Sequence, residues 1–440
     1  MKTSADRPSL RIAMISEHAS PLAAVGGVDA GGQNIYVAKV CERLADAGHH
    51  VDVYTRRDDA ALDQVVRLRT NLHVFHVDAG PPTFVPKEHL LEHMPAFAAE
   101  VERCARRRGG YDIIHANFFM SGWVARQLKR SLGLPYVITF HALGRVRLHH
   151  QKQADSFPPE RLTIEDDLVT GADAADLVIA ECPQDKHDLA RWYRADGARV
   201  RVVPCGVDLQ EFRPLDRRAA RSALGLSPDE FIVLQLGRLV PRKGVDNVIR
   251  ALAHLDPTRR ARLLVVGGDA RDPEAMTTPE LGRLREVAAQ CGVAPRVSFV
   301  GQRRRDELAQ YYAACDVFVT TPWYEPFGIT PLEAMACERP VIGSRVGGIK
   351  YSVVNGRTGF LVPPHDPQAL AARLMQLQDD PMLAMSLSRA GARRARISFT
   401  WDKVATSLCA HYQDALRRDR RYGLRAASRG AALLHAAHAD

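Results

Sequence analysis

Three short clusters in this 440-residue chain have the residue types and spacing to handle a negatively charged ligand. The first is Val25-Gly-Gly-Val-Asp-Ala-Gly31-Gly32-Gln-Asn34, between a short apolar run and a helical pattern. Glycines let the backbone approach a ligand closely, and the start of a helix offers unpaired N–H groups to an anion. The spacing is not Gly-x-Gly-x-x-Gly, so the dinucleotide fingerprint is not matched, and a plain strand-to-helix turn is the competing reading. The second cluster is Leu236-Gly-Arg238-Leu-Val-Pro-Arg-Lys243-Gly244. Arg238 and Lys243 lie beyond the carboxyl end of a strand, where two separated cations can grip a phosphate, against the alternative of a solvated loop.

The third cluster, Glu325-Pro-Phe-Gly328-Ile-Thr-Pro-Leu-Glu333, carries two acids with different work. Gly328, Ile329 and Thr330 would present backbone N–H groups to a phosphate, with Thr330 as helix cap and Pro331 in the first turn. Glu333 in that turn suits the hydroxyls of a ribose, and Glu325 in the preceding loop could face a sugar ring. His141, at the end of another strand, is either a satisfied core group or a contact to sugar or acceptor.

The elements that must position these groups are legible as alternating short apolar strands and longer helical patterns. Residues 11–16, 51–55, 72–77, 113–116, 136–140, 177–180 and 200–204 read as strands, with helices such as 33–47 and 123–132 between them. The alternation resumes with strands at 231–236, 262–266, 296–300, 317–321 and 341–344. Near-continuous Val, Ile and Leu runs are buried on both faces, which predicts parallel sheets covered by helices. The fold class expected is α/β, two doubly wound Rossmann-like domains facing a central cleft. The boundaries expected are 1–208, 209–395 and a segment 396–440, whose helix returns to the first domain before a basic Arg- and Ala-rich tail.

Composition excludes some classes. There are 60 Lys and Arg against 51 Asp and Glu, a formal charge of +9, and only nine of those cations are lysine. Arginine excess alone says little about nucleic acid, since arginine also grips phosphate-bearing small molecules. No aromatic-interleaved basic stretch favours single-stranded nucleic acid. No apolar run approaches the 18 residues of a membrane span, and the short run 12–15 is no secretory core, so a cytoplasmic enzyme is expected. The eight cysteines (41, 104, 182, 205, 291, 315, 337 and 409) form no CxxC pair or zinc-spaced cluster and read as buried thiols.

Glu325 and Glu333, with seven residues between them, resemble the E-x7-E motif of retaining GT-B glycosyltransferases of family 4. The similarity extends over almost the whole chain. Gly31-Gly32-Gln-Asn-Ile-Tyr36 resembles the amino-terminal donor and acceptor loop, and His115-Ala-Asn with Phe140-His141-Ala-Leu-Gly144 the cleft motifs. Pro204-Cys-Gly-Val-Asp208 resembles the interdomain signature, and Gly237-Arg238 with Lys243-Gly244 the diphosphate clamp. Pro86-Lys87-Glu88 and Pro95-Ala-Phe97 are similar to the branch of sucrose-phosphate synthases and D-inositol-3-phosphate glycosyltransferases.

This resemblance implies a GT-B fold and transfer of a hexosyl group from a nucleotide sugar, UDP favoured, to a hydroxyl of a small-molecule or glycolipid acceptor, with retention. Arg238 and Lys243 would bind the donor diphosphate, Glu333 the ribose, and Gln302 and Arg303 the base. Gly31, Gly32, Gly328, Ile329 and Thr330 would complete the donor site, with Glu325 and His141 near the transferred sugar. Asn34, Lys87 and Arg161 fall on acceptor positions, the last two where a phosphorylated acceptor is held. Where the inositol-phosphate enzymes add two hydroxyl-bearing residues, this chain has Phe118 and Ala142. No Asp-x-Asp occurs, so no metal and no cofactor is expected; nucleic acid is not an expected partner, and membrane contact is peripheral at most. A UDP-sugar 2-epimerase-like enzyme of the same architecture is the competing enzyme class, and a basic surface-binding protein the non-enzymatic one.

Overall fold

The computed structural model describes residues 9–23, 31–151, 157–268, 270–272, 274 and 278–436, apart from the side chains of residues 151 and 419–436. Positions 25–30 of the first glycine cluster and the last residues of the basic tail lie outside the described residues. The apolar runs of the first half form β1 (Arg11–Ile15), β2 (His50–Arg56), β3 (Val65–Arg69), β4 (Leu72–Val77), β5 (Ile113–Asn117), β6 (Tyr136–Thr139), β7 (Leu177–Ala180) and β8 (Val200–Val202). Around them lie α1 (Gly32–Asp46), α2 (Met94–Arg107), α3 (Phe119–Leu132), α4 (Gly144–Gln151), α5 (Arg161–Thr170) and α6 (Pro183–Tyr193). The second half supplies β9 (Phe231–Leu236), β10 (Ala261–Val266), β11 (Val297–Gly301), β12 (Val317–Thr320), β13 (Val341–Ser344) and β14 (Phe360–Val362). Its helices are α7 (Arg217–Ala223), α8 (Val245–Ala253), α9 (Pro279–Gln290), α10 (Arg305–Ala314), α11 (Thr330–Ala336), α12 (Ile349–Ser352), α13 (Pro367–Asp379), α14 (Pro381–Ser398) and α15 (Trp401–Ala436).

Two sheets result, in the orders β3-β4-β2-β1-β5-β6-β7-β8 and β11-β10-β9-β12-β13-β14. All neighbours are parallel except β3 and β4, which pair antiparallel, a correction to the expectation of purely parallel sheets. The β3 edge strand is mostly exposed, so its side chains give no buried apolar run to read. The central strands β5 and β12 are buried along their whole length, and β1 in all but Arg11, as sheets covered on both faces require. Strand order reverses between β1 and β5 and again between β9 and β12, and ligand crevices open at such switch points beyond the strands' carboxyl ends. The segments that follow β1, β9 and β12 carry the three clusters.

The chain returns to the first sheet through α15. Val207 pairs with Thr400, and its N–H donates to the Phe399 carbonyl at 2.7 Å. Trp401 is fully buried, Tyr412 Oη lies 2.6 Å from His115 Nδ1, and Arg201 pairs with Asp414 at 3.1 Å. This helix therefore ties the carboxyl-terminal half to the amino-terminal sheet across the interdomain connection.

Candidate functional site

The second and third clusters meet because Gly244 permits it. Its φ is +64°, and a Cβ there would sit 2.0 Å from the Thr321 carbonyl oxygen, so only glycine lets the turn lie against the end of β12. Thr321 Oγ1 locks the approach by donating to the Gly244 carbonyl at 2.9 Å. The preceding 3₁₀ turn, Pro241–Lys243, then delivers Lys243 Nζ onto Glu325 Oε2 as a short ion pair, with Arg242 Nη1 3.9 Å from the same oxygen. The loop carrying Glu325 is held from the other side by Gly347, whose φ is +41° and whose Cβ would meet the Glu325 carbonyl oxygen at 1.8 Å. The Gly348 N–H donates to the Glu325 and Pro326 carbonyls at 3.2 and 3.1 Å.

Electrostatics follow from this crowding. Burial pushes the Lys243 ammonium down to about 8; Arg242 and Arg238 add repulsion, and only Glu325 opposes. Burial alone would raise the Glu325 carboxyl, but Lys243, Arg242 and Arg238 together hold it below the ordinary carboxylate range. Three cations around one carboxylate leave a surplus of positive charge at the end of β9. Arg242 Nη1 is buried without a hydrogen-bond partner.

The first cluster faces this surplus. A Cβ built on Gly31 would lie 3.9 Å from Arg238 Nε, and one on Gly32 would lie 3.8 Å from Ile329 Cδ1. The N-terminus of α1 thus approaches both the cation loop and the start of α11. Asn34 fixes the turn: its Oδ1 accepts from the Gly31 N–H at 2.9 Å, and its Nδ2 donates to the Ser20 carbonyl at 2.9 Å. Thr330 is a correction: Ile329 occupies the cap position and Thr330 is the first helical residue, with no side-chain cap bond. Gly328 and Ile329 lie at the mouth of α11 as expected from the spacing.

Glu333, one turn into α11, is buried at 2% exposure yet doubly held. Arg305 Nη1 donates to its Oε1 at 2.9 Å, and Tyr312 Oη donates to its Oε2 at 2.9 Å. Beside it, residues of α1 (Asn34, Lys39) and the Gln302–Arg305 segment line a cavity of about 540 Å³ between the two halves. Arg303 is braced there by Tyr311 Oη at 3.0 Å and the Arg271 carbonyl at 2.9 Å.

His141 lies at the end of β6 with φ +57°, an uncommon conformation for a residue with a side chain. Its Nδ1 is 3.1 Å from Glu181 Oε1 and its Nε2 is 3.1 Å from Asn117 Oδ1, while the Tyr36 ring packs edge-on at 4.8 Å. Asn117 Nδ2 donates to the Ile15 carbonyl, so its Oδ1 is turned to accept from the imidazole. Both ring nitrogens are therefore engaged within the amino-terminal half.

Of the acceptor positions, Asn34 and Arg161 are buried and Lys87 is half-buried. Lys87 sits in the 3₁₀ turn Lys87–His89, 3.3 Å from Glu88; the next residues, Glu88 and His89, line an open cavity of about 840 Å³ with Phe157 and Glu160. Arg161, expected to face an acceptor phosphate, is instead 1% exposed. Its Nε pairs with buried Glu165 at 2.7 Å and its Nη2 donates to the Ala142 carbonyl at 2.6 Å. The rings of Phe118, Phe119 and Phe157 close around its guanidinium at 4.9 to 5.0 Å. A cation this enclosed works as structure, because re-exposing it leaves Glu165 buried and unpaired. Sequence reading missed Arg242, Arg305, Tyr312, Glu181 and the Gly347-Gly348 brace; the glycine pair beyond β13 was a signal of the same kind as the first cluster.

The family model described as Glycosyltransferase Family 4 matches residues 30–211, and that described as Glycosyl transferases group 1 matches residues 216–394. The D-inositol 3-phosphate glycosyltransferase of Streptomyces bingchenggensis is 38% identical over 419 residues, 93% of this chain and 90% of that one. The protein of the same name from Acidothermus cellulolyticus is 39% identical over 414 residues, 92% of this chain and 90% of that one. Among solved structures, sucrose-phosphate synthase from Thermosynechococcus elongatus superposes with a TM-score of 0.85 at 37% identity, covering 93% of this chain and 100% of that one.

Proposed function

The chain belongs to the GT-B glycosyltransferases of family 4 and is a transferase; from that premise we propose that it moves a hexosyl group from a UDP-sugar to a hydroxyl acceptor with retention. The observation that carries this reading is the positive surplus around Glu325, facing Gly31 across the cleft. A nucleoside diphosphate placed there has its phosphates on Arg238, Lys243 and the start of α11, its ribose toward Glu333 and its base toward Gln302 and Arg303. The sugar then lies between Glu325 and the His141 loop.

In the transfer step the bond from the anomeric carbon to the diphosphate oxygen breaks while a bond to the acceptor oxygen forms on the same face. The acceptor proton passes to the departing diphosphate. Negative charge builds on the leaving oxygen, and preorganised cations in a narrow cleft stabilise it more than water would. His141, with both nitrogens engaged, orients the backbone of its loop and is not the proton acceptor. Lys87 is the acceptor-side cation for a sugar phosphate. Phe118 and Ala142 offer no hydroxyls, which weighs against an inositol-phosphate acceptor.

The clamp supplies positive charge itself, so the rate in excess chelator is expected to stay within about twofold of the untreated rate; strict dependence on added Mn²⁺ or Mg²⁺ would overturn metal independence. The pH profile follows from Lys243. A lysine brought down to about 8 is charged below that pH and neutral above it, so kcat/KM for the donor should fall as pH rises through about 8. Lys243→Arg should remove that fall, since guanidinium stays protonated throughout. A fall at the same pH in the arginine variant would assign it to another group. A screen of UDP-glucose, UDP-N-acetylglucosamine and GDP-mannose against fructose 6-phosphate, inositol phosphate and lipid acceptors tests the substrate assignment. Release of free epimerised sugar without transfer would favour the 2-epimerase class instead.

A further inference from the structure

A continuous chain of ion pairs runs from the amino-terminal domain to the floor of the nucleotide cavity. Lys39, on α1, pairs with Asp208 at 3.1 Å and makes a short contact to Glu211 Oε1, both in the interdomain connection. The second oxygen of Glu211 takes Arg305 Nε at 2.7 Å. Arg305 Nη1 holds Glu333 Oε1 at 2.9 Å, and its guanidinium lies 4.8 Å over the Phe212 ring. Its remaining nitrogen, Nη2, is buried without a hydrogen-bond partner. Lys39, Glu211 and Arg305 all line the 540 Å³ cavity.

We propose that Arg305 is a positioning residue for Glu333, and that Lys39 sets Arg305 through Glu211, so the amino-terminal domain tunes recognition of the donor's ribose. The proposal rests on the reading of Glu333 as the ribose ligand. Each half of its support is geometric. An ionised carboxylate oxygen has capacity for two hydrogen bonds, so Glu333 can hold Arg305 and Tyr312 and still accept from a ribose hydroxyl. It does so well only if its plane is fixed, and Arg305 fixes it through a rigid fork whose other edge is held by Glu211. Glu211 has one oxygen for Arg305 and one for Lys39. Lys39 lies on the same helix as Asn34 and the Gly31-Gly32 turn, so movement of α1 against the carboxyl-terminal domain pulls directly on this relay.

The test compares a nucleoside diphosphate with its 2′-deoxy form by calorimetry, using whichever of UDP, ADP and GDP binds most tightly. In the unaltered protein the deoxy form should bind about tenfold more weakly, the loss expected for a hydrogen bond to a charged acceptor. In Arg305→Gln and in Lys39→Met that ratio should shrink to about threefold or less, with unaltered circular dichroism. A merely structural defect weakens both ligands equally and leaves the ratio unchanged. A tenfold ratio that persists in Lys39→Met overturns the relay even if Arg305→Gln does not fold. Absence of any deoxy penalty in the unaltered protein overturns the Glu333 reading itself, and Glu333→Gln, which should abolish the penalty, separates the two failures.

Discussion

Lys243→Ala should lower transfer by about a hundredfold to a thousandfold while the protein remains folded. Removing one preorganised donor from a developing oxyanion costs about that much, and this site adds a second loss. Lys243 neutralises Glu325 directly and is its nearest cation. Without the ammonium, a buried carboxylate facing the diphosphate keeps only the more distant Arg242, at 3.9 Å, and Arg238 to offset it, and under-compensated buried charges are costly. The two effects share a cause, so they are not additive. Lys243→Ala combined with Glu325→Gln should bind UDP more tightly than Lys243→Ala alone, because the repelling anion is gone. Turnover near the unaltered rate in the single variant, measured as UDP release with acceptor present, would remove Lys243 from the clamp.

Glu325→Ala should separate binding from chemistry. The carboxylate is held ionised by three cations, and its removal frees Lys243 and Arg242 for phosphate. Affinity for UDP alone is therefore expected to be unchanged or to rise by roughly threefold, while kcat falls by about a hundredfold through lost organisation around the sugar. Calorimetry with UDP and a steady-state assay read the two parts separately. Loss of UDP affinity in step with kcat would make Glu325 a structural partner of Lys243 and nothing more.

The legible parts of this protein were those where burial writes itself into residue type. Strands such as Leu177–Ala180 and Val341–Ser344 are buried throughout, Phe231–Leu236 in all but its end residues, and they read directly as apolar runs. The edge strand Val65–Arg69 is mostly exposed, and Phe360–Val362 has only three residues, so neither leaves such a trace. The segments that bring Lys243 onto Glu325 were legible because Gly244 and Gly328 punctuate them and lysine is scarce in the chain. Arg161 and Arg305 were harder. With 51 arginines in the sequence, nothing local separates a guanidinium enclosed by three phenylalanine rings from one lining the interdomain cavity. Arg161 has Glu165 four residues away on its own helix, a spacing that reads as a surface pair until the fold buries both. Arg305 meets Glu333 and Glu211 across 28 and 94 residues of chain, which only the tertiary structure brings together.

The most direct measurement is proton NMR of the purified protein with UDP-glucose, UDP-N-acetylglucosamine or GDP-mannose and a sugar-phosphate acceptor, following the anomeric signals in time. For one donor, the nucleotide-linked anomeric proton should disappear as a new glycosidic signal of the same anomeric configuration grows, with one nucleoside diphosphate released per glycoside formed. Formation of the opposite anomer would contradict retention. Failure of every donor to be consumed, or its conversion to a free epimer without a glycoside, would contradict the assignment of this cleft to hexosyl transfer.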